Sequence, residues 1–219
     1  MPLADPFFDS LRTLEFSRLD EQNQTYLDFT GGNLYPISVL NKHFDMLKNA
    51  VLGNPHSTNP SSLLATKWCE EAREKISSFF NASDYYCVFT ANASASLQII
   101  GECFPFGPDS HFLLFADNHN SVNGIREYCK NKGGTFTYSQ LNVENLRINE
   151  AQLTENLTAH PNKTNKLFAF PAQSNVSGVK HDLNWVKVAQ ENGWTVLLDA
   201  AAFVPTSPLN LSEVQADFV

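Results

Sequence analysis

Apolar and polar positions along this chain switch between two periods. Six-residue runs such as "YYCVFT" (85–90), "HFLLFA" (111–116), "KLFAFP" (166–171) and "WTVLLD" (194–199) read as strands buried in a sheet. "GTFTYSQL" reads as another short strand, and "ADFV" at 216–219 starts one more. Between them, apolar residues recur at helical spacing from about Ala93 to Cys103, from about Ser121 to Lys132, over 149–159 and through "DLNWVKVAQEN". Earlier in the chain, "NKHFDMLKNAVLG" predicts a helix ending at Gly53, and "GNPHSTNPSS" predicts a loop. The next helix has Asn59 as N-cap and Pro60 at its first position, with Leu64, Trp68, Ile76, Phe79 and Phe80 on its apolar side. Turn chemistry marks "FTGGNLYP", where Gly31 and Gly32 free the backbone and Pro36 fixes a bend. Strands alternating with helices at this pace predict an α/β fold, a mostly parallel sheet covered by helices on both faces.

Composition narrows the function classes. The 219 residues are 42 % hydrophobic and 17 % charged, enough to bury a sizeable core. A formal net charge of -8 without a basic cluster argues against nucleic acid as partner. No stretch approaches the roughly 20 apolar residues of a membrane helix. "MPLADPFFDSLRTLEF" lacks the basic start and apolar core of a secretory signal, so the expected location is cytoplasmic. Cys69, Cys87, Cys103 and Cys129 are widely spaced without a CxxC pair, which suits small core residues in a reducing compartment and no metal.

The strand ends carry the chemistry. After "CVFT" come Asn92, Ala93 and Ser94, opening a helix; after "LLFA" come Asp117, Asn118 and His119. "FAFP" leads to Gln173, Ser174, Asn175 and Gly178, and "TVLL" ends on Asp199. Ligands of an open parallel sheet bind outside the carboxyl ends of its strands, so these four sites project to one edge. Small residues at a helix N-terminus suit a phosphate, or simply an N-cap. His119 is a stacking ring, an acid/base or a loop histidine; Asn175 orients a ligand oxygen or makes a turn. Asp199, in an apolar run without a cationic neighbour, needs a partner: a capped helix or a ligand. Together the four ask for a phosphate, a flat ring and a protonated ring nitrogen, the description of pyridoxal 5'-phosphate (PLP).

"YLDFTGGNLYP", "GNPHS", "VFTANASASL", "NHNSVNGIRE", "SNVSGVK", "LLDAAAFVPTSPLNLSE" and "ADFV" resemble the class V aminotransferase fold of the cysteine desulfurase group. "HNSVNGIRE" and the stretch from "LLDAAA" to "DFV" are most similar to the N-terminal domain of molybdenum cofactor sulfurases. The resemblance implies the large domain of a three-layer, fold type I PLP transferase. Residues 1–40 would be an N-terminal segment of the small domain or arm, and 41–219 a partial PLP-binding domain. It implies that Ala93 and Ser94 grip the phosphate, His119 stacks on the ring, Asn175 lies near the phenolic oxygen and substrate, and Asp199 meets the pyridine nitrogen. His119 and Asp199 would be the catalytic pair. His56 lies in a loop that approaches the site in relatives, and Arg126 is a surface residue or a structural anchor. The implied activity is sulfur transfer from L-cysteine to an acceptor, by a homodimer when complete.

Two departures bear on that expectation. Ala202 stands where many cysteine desulfurases have a glutamine, which favours the molybdenum-cofactor branch. The lysine that forms the Schiff base lies a few residues beyond "DFV" in relatives, as does the sulfur-accepting cysteine, and no lysine up to Val219 occupies that place. The expectation is therefore a fragment of an enzyme, without turnover alone. Another class V reaction, of the kynureninase, lyase or epimerase type, and a non-catalytic interaction fragment stay open. A Rossmann dehydrogenase is disfavoured, because no GxGxxG follows any strand.

Overall fold

A computed structural model describes residues 5–29 and 31–219; Thr30 of the "FTGG" turn lies outside them. In chain order the elements are α1 (Pro6–Glu15), α2 (Arg18–Glu21), α3 (Ile37–Asn49), α4 (Pro60–Phe79), α5 (Ala93–Cys103), β1 (Ser110–Phe115), α6 (Asn120–Asn123), α7 (Ile125–Asn131), β2 (Thr135–Ser139), α8 (Glu150–Thr158), β3 (Asn165–Pro171), α9 (Trp185–Glu191) and β4 (Thr195–Asp199). Contacts divide the chain into two units, residues 1–74 and 75–219.

Unit 1 is helical. Asp5 caps α1 by accepting from the Phe7 amide, and Arg12 pairs with Asp20 at 2.7 Å. Arg18 donates to the Tyr35 carbonyl at 2.6 Å while its guanidinium lies over that residue's ring. Gly31 and Gly32 donate to the Asp28 carbonyl. A Cβ on Gly31 would stand 2.5 Å from the Asp28 carboxylate, which explains glycine there. Asn59 and Pro60 open α4 as the sequence predicts, with the Asn59 side chain accepting from Ser62 N at 3.0 Å. The helix before it begins at Ile37 and stops at Asn49, earlier at both ends than its pattern suggests.

Unit 2 holds the sheet. Among the described residues it has four strands in the order β2-β1-β3-β4, all pairs parallel. The period-2 pattern sorts its side chains to two faces. Leu113, Phe115, Phe168, Phe170, Val196 and Leu198 pack on one side with Leu153 and Leu157 of α8 and Val186 and Ala189 of α9. Phe112, Leu114, Leu167, Ala169 and Leu197 pack on the other with Leu97 of α5 and Ile125 and Cys129 of α7. Burying each such side chain contributes about 1.5–3 kcal/mol, so this double-faced core dominates the stability of the unit.

Two strand readings come out differently. Residues 86–90 belong to no strand of the sheet, and Tyr86 is 98 % exposed. "ADFV" is reduced to a single parallel bridge between Phe218 and Leu197. Of the four cysteines only Cys129 is buried, and Cys103 is exposed.

Candidate functional site

The polar strand ends of unit 2 converge because the strands run parallel and in register. Pro171 pairs with Asp199, and Ala169 pairs with Leu114, so β1, β3 and β4 all release their chains on one edge. The Ala172 amide then donates to the Asp199 carbonyl at 2.8 Å, extending the β3–β4 ladder beyond the strands.

At α5 the N-terminus is built as the sequence suggests. The Asn92 side chain accepts from Ala95 N at 2.9 Å, while its carbonyl accepts from Ala95 and Ser96. Thr90 steadies the turn through the Ser96 hydroxyl at 2.7 Å. Ala93 and Ser94 are exposed, and their amides meet no acceptor among the described residues. Two free N–H groups at the positive end of a helix, beside a hydroxyl, are an anion cradle.

His119 belongs to the same construction. It caps α6, its Nδ1 accepting from Ser121 N at 3.2 Å, and the Ser121 hydroxyl shares a 2.6 Å hydrogen bond with the Ser94 hydroxyl. A neutral ring accepting at Nδ1 carries its hydrogen on Nε2. The ring is exposed, free to lie against a flat ligand. The structure thus joins Ser94 to His119 through one residue, Ser121, that sequence reasoning passed over.

Asp199 ends β4 half-buried. Its Oδ1 accepts from Ala201 N at 3.1 Å, Oδ2 has no hydrogen-bond partner, and no cation pairs with it among the described residues. The capping reading accounts for one oxygen; the second is available to a donor on a ligand. Asn175 lies exposed on the loop after β3, closed by Gly178 at φ 73°, a conformation that favours glycine. No hydrogen bond among the described residues joins Asn175 or Asp199 to the Ser94–Ser121–His119 group; they share only the edge.

Beneath the edge lies a buried pair the sequence did not reveal. Asp117 Oδ2 and His181 Nε2 meet at 2.9 Å, both nearly sealed from water. Asn118, also buried, donates to the carbonyls of Phe115 and Ala169, pinning the end of β1 to β3. Buried Ser174 accepts from Val176 N and Ser177 N and shapes the Asn175 loop. "DNHN" after β1 was the available signal, but His181 lies 64 residues from its partner and nothing local marks it. Arg126 proves to be a structural anchor, donating to the Tyr138 hydroxyl of β2 and to Glu127. His56 lies in unit 1, its amide held by Thr66.

The chain is similar to known proteins in sequence and fold. The chain is 36 % identical to a molybdenum cofactor sulfurase of Solanum lycopersicum, covering 96 % of this chain and 29 % of the relative. It is 40 % identical to one of Danio rerio, covering 94 % of this chain and 26 % of the relative. Its fold matches an apo cysteine desulfurase from Thermococcus onnurineus NA1 with a TM-score of 0.81 at 22 % identity, over 95 % of this chain and 51 % of that one. The chain therefore spans less than a third of those curated relatives and about half of the solved protein. The profile of the aminotransferase class-V family matches residues 25–219, and the chain belongs to that family of PLP-fold enzymes.

Proposed function

We propose that the strand-end edge of unit 2 is a PLP site serving sulfur transfer from L-cysteine, in the manner of cysteine desulfurases and molybdenum cofactor sulfurases. The observation that carries this reading is the Ser94–Ser121–His119 connection, which couples a helix N-terminus with two free amides to an imidazole on the same edge. The residues present fit the group. The amides of Ala93 and Ser94 and the Ser94 hydroxyl would hold its phosphate, and His119 would lie on its ring. Asn175 would approach the phenolic oxygen and the substrate. Asp199, with one oxygen unengaged, would accept a hydrogen bond from the pyridinium N–H and hold the ring nitrogen charged.

When bound, PLP supplies an electron sink for amino-acid substrates. The chain's own residues would position it and keep its nitrogen protonated. In the overall reaction the C–S bond of L-cysteine breaks, a cysteine thiol takes the sulfur as persulfide and alanine leaves. Sulfur would pass from there to a molybdenum cofactor or another acceptor. Residues 41–219 would form part of the PLP-binding domain. On this reading turnover also needs a lysine for the cofactor and a cysteine to accept the sulfur. Polypeptide of the kind the longer relatives possess would complete the chain as a homodimer.

The test is the amino-acid dependence of the protein purified from its natural source. The reading expects alanine and persulfide sulfur from L-cysteine, in equal amounts, and no product from kynurenine. Product from another amino acid with none from cysteine contradicts the sulfur-transfer assignment.

A further inference from the structure

The opposite edge of the sheet, where the strands begin, gathers basic groups that lie far apart in the sequence. His111 stands near the start of β1 and Lys166 near the start of β3, while His160 and Lys163 lie on the connection from α8 to β3. The rings of His111 and His160 stack with centroids 3.7 Å apart. Trp194 packs edge-on against His111 at 5.9 Å and carries Lys166 Nζ over its own face at 5.0 Å. Lys163 Nζ donates to the Pro108 carbonyl, just ahead of β1, at 2.6 Å. Both ammonium groups act on both rings: their repulsion, after burial, holds the two imidazoles below their ordinary pKa. Four basic groups from three segments therefore share one place in a chain of net charge -8.

Two of the four are buried without the partner their chemistry requires. Lys166 is 8 % exposed, and its ammonium meets the Asn192 carbonyl at 2.6 Å and the Trp194 ring; no carboxylate pairs with it among the described residues. His111 is 2 % exposed; the Thr135 hydroxyl engages Nδ1 at 2.8 Å, and Nε2 has no partner. A buried ammonium is ordinarily balanced by an anion, and a buried ring nitrogen by a hydrogen bond. Lys163 has no carboxylate partner among the described residues either. Asp109, the acid next to β1, is exposed and engages Thr164 through its backbone carbonyl. Each ammonium has three donors and gives one to a carbonyl, so two remain on each. The two lysine charges repel a metal cation from the imidazoles and attract an anion. Donors from separate segments suit a tetrahedral oxyanion, whose oxygens point apart, better than a planar carboxylate. We propose that His111, His160, Lys163 and Lys166 form a binding site for a phosphoryl group, at the opposite edge of the sheet from Ser94 and His119. Bound there, the group would balance the buried ammonium, give His111 Nε2–H an acceptor, and tie the start of β1 to the start of β3.

The test is titration of the 219-residue chain with inorganic phosphate, and separately with methyl phosphate, at an ionic strength held constant with chloride. Histidine ring signals in proton–nitrogen NMR spectra report the two edges separately: His111 and His160 this one, His119 the other. The expected result is saturable movement of the His111 and His160 signals that chloride does not reproduce. Tighter binding of inorganic phosphate identifies the free ion as the ligand; tighter binding of methyl phosphate identifies the phosphoryl group of a larger molecule. Lys163→Met and Lys166→Met should each weaken binding at these rings about 5- to 20-fold without changing the His119 response. Lys163 is only half-buried, so its variant tests the site even where Lys166→Met fails to fold. Lys187→Met removes an exposed lysine of α9 and should leave both responses unchanged. No saturable movement of the His111 and His160 signals overturns the proposal, whatever His119 does. Unchanged affinity in Lys163→Met, or a response that chloride matches, overturns it equally.

Discussion

The hydroxyls of Ser94 and Ser121 stand 2.6 Å apart, and the Ser121 amide in turn holds the ring of His119. The first turns of α5 and α6 are thereby locked together at the place proposed for the phosphate and the ring. Ser121→Ala removes the hydroxyl link but keeps the amide. A neutral hydrogen bond is worth about 0.5–1.5 kcal/mol, so PLP affinity should fall about 2- to 10-fold. Fluorescence titration of the variant, with the exposed Ser212→Ala as control, measures it. Thermal stability should change little in either.

The buried pair of Asp117 and His181 joins the loop after β1 to the loop after β3. Removing one partner strands the other in the interior. His181→Ala should cost on the order of 3 kcal/mol in urea unfolding, with a smaller added cost when Asp117→Asn is combined with it. Independent, additive effects would show that the two groups do not support each other.

Stability should fall in mild acid for an identifiable reason. His111 is buried at the start of β1, and burial, with repulsion from His160, Lys163 and Lys166, pushes its pKa down from 6.5 to about 4. Its ring stacks on His160 at 3.7 Å, where burial also lowers the pKa. A base held below its unfolded value contributes stability that is complete above pH 6.5 and is lost as pH falls through 4. The loss attributable to His111 is on the order of 3 kcal/mol. His111→Gln cannot take the proton, and its unfolding free energy should be flatter across that window.

The cysteines should divide by reactivity. Burial raises the Cys129 thiol to about 11, and it also donates to the Thr135 carbonyl, whereas Cys103 is exposed. Brief alkylation of the native chain at pH 8 should label Cys103 first and leave Cys129 unmodified until unfolding, as peptide mass mapping would show. Labelling of Cys129 in the folded chain would contradict the burial.

The sheet and the candidate residues were largely legible in the sequence because each depends on local pattern. Apolar runs marked β1, β3 and β4, and strand-end polar residues followed at once. Asp199 stood out by lacking a neighbour of opposite charge, and the structure leaves one of its oxygens unengaged. His181 and Ser121 were not legible, since their roles arise from partners brought close by the fold. The "YYCVFT" reading shows the converse limit: β-character is local, but a strand exists only where another backbone pairs with it.

The most direct test of the PLP assignment is cofactor titration of the chain and of Asp199→Asn. Asparagine preserves the hydrogen bond to Ala201 N and removes the charge, so the fold should be retained. A hydrogen bond to a charged group is worth about 1.5–3 kcal/mol, and the account expects PLP binding by the parent chain to weaken about 10- to 100-fold in the variant. Equal affinity in both chains, or none in the parent, would contradict it.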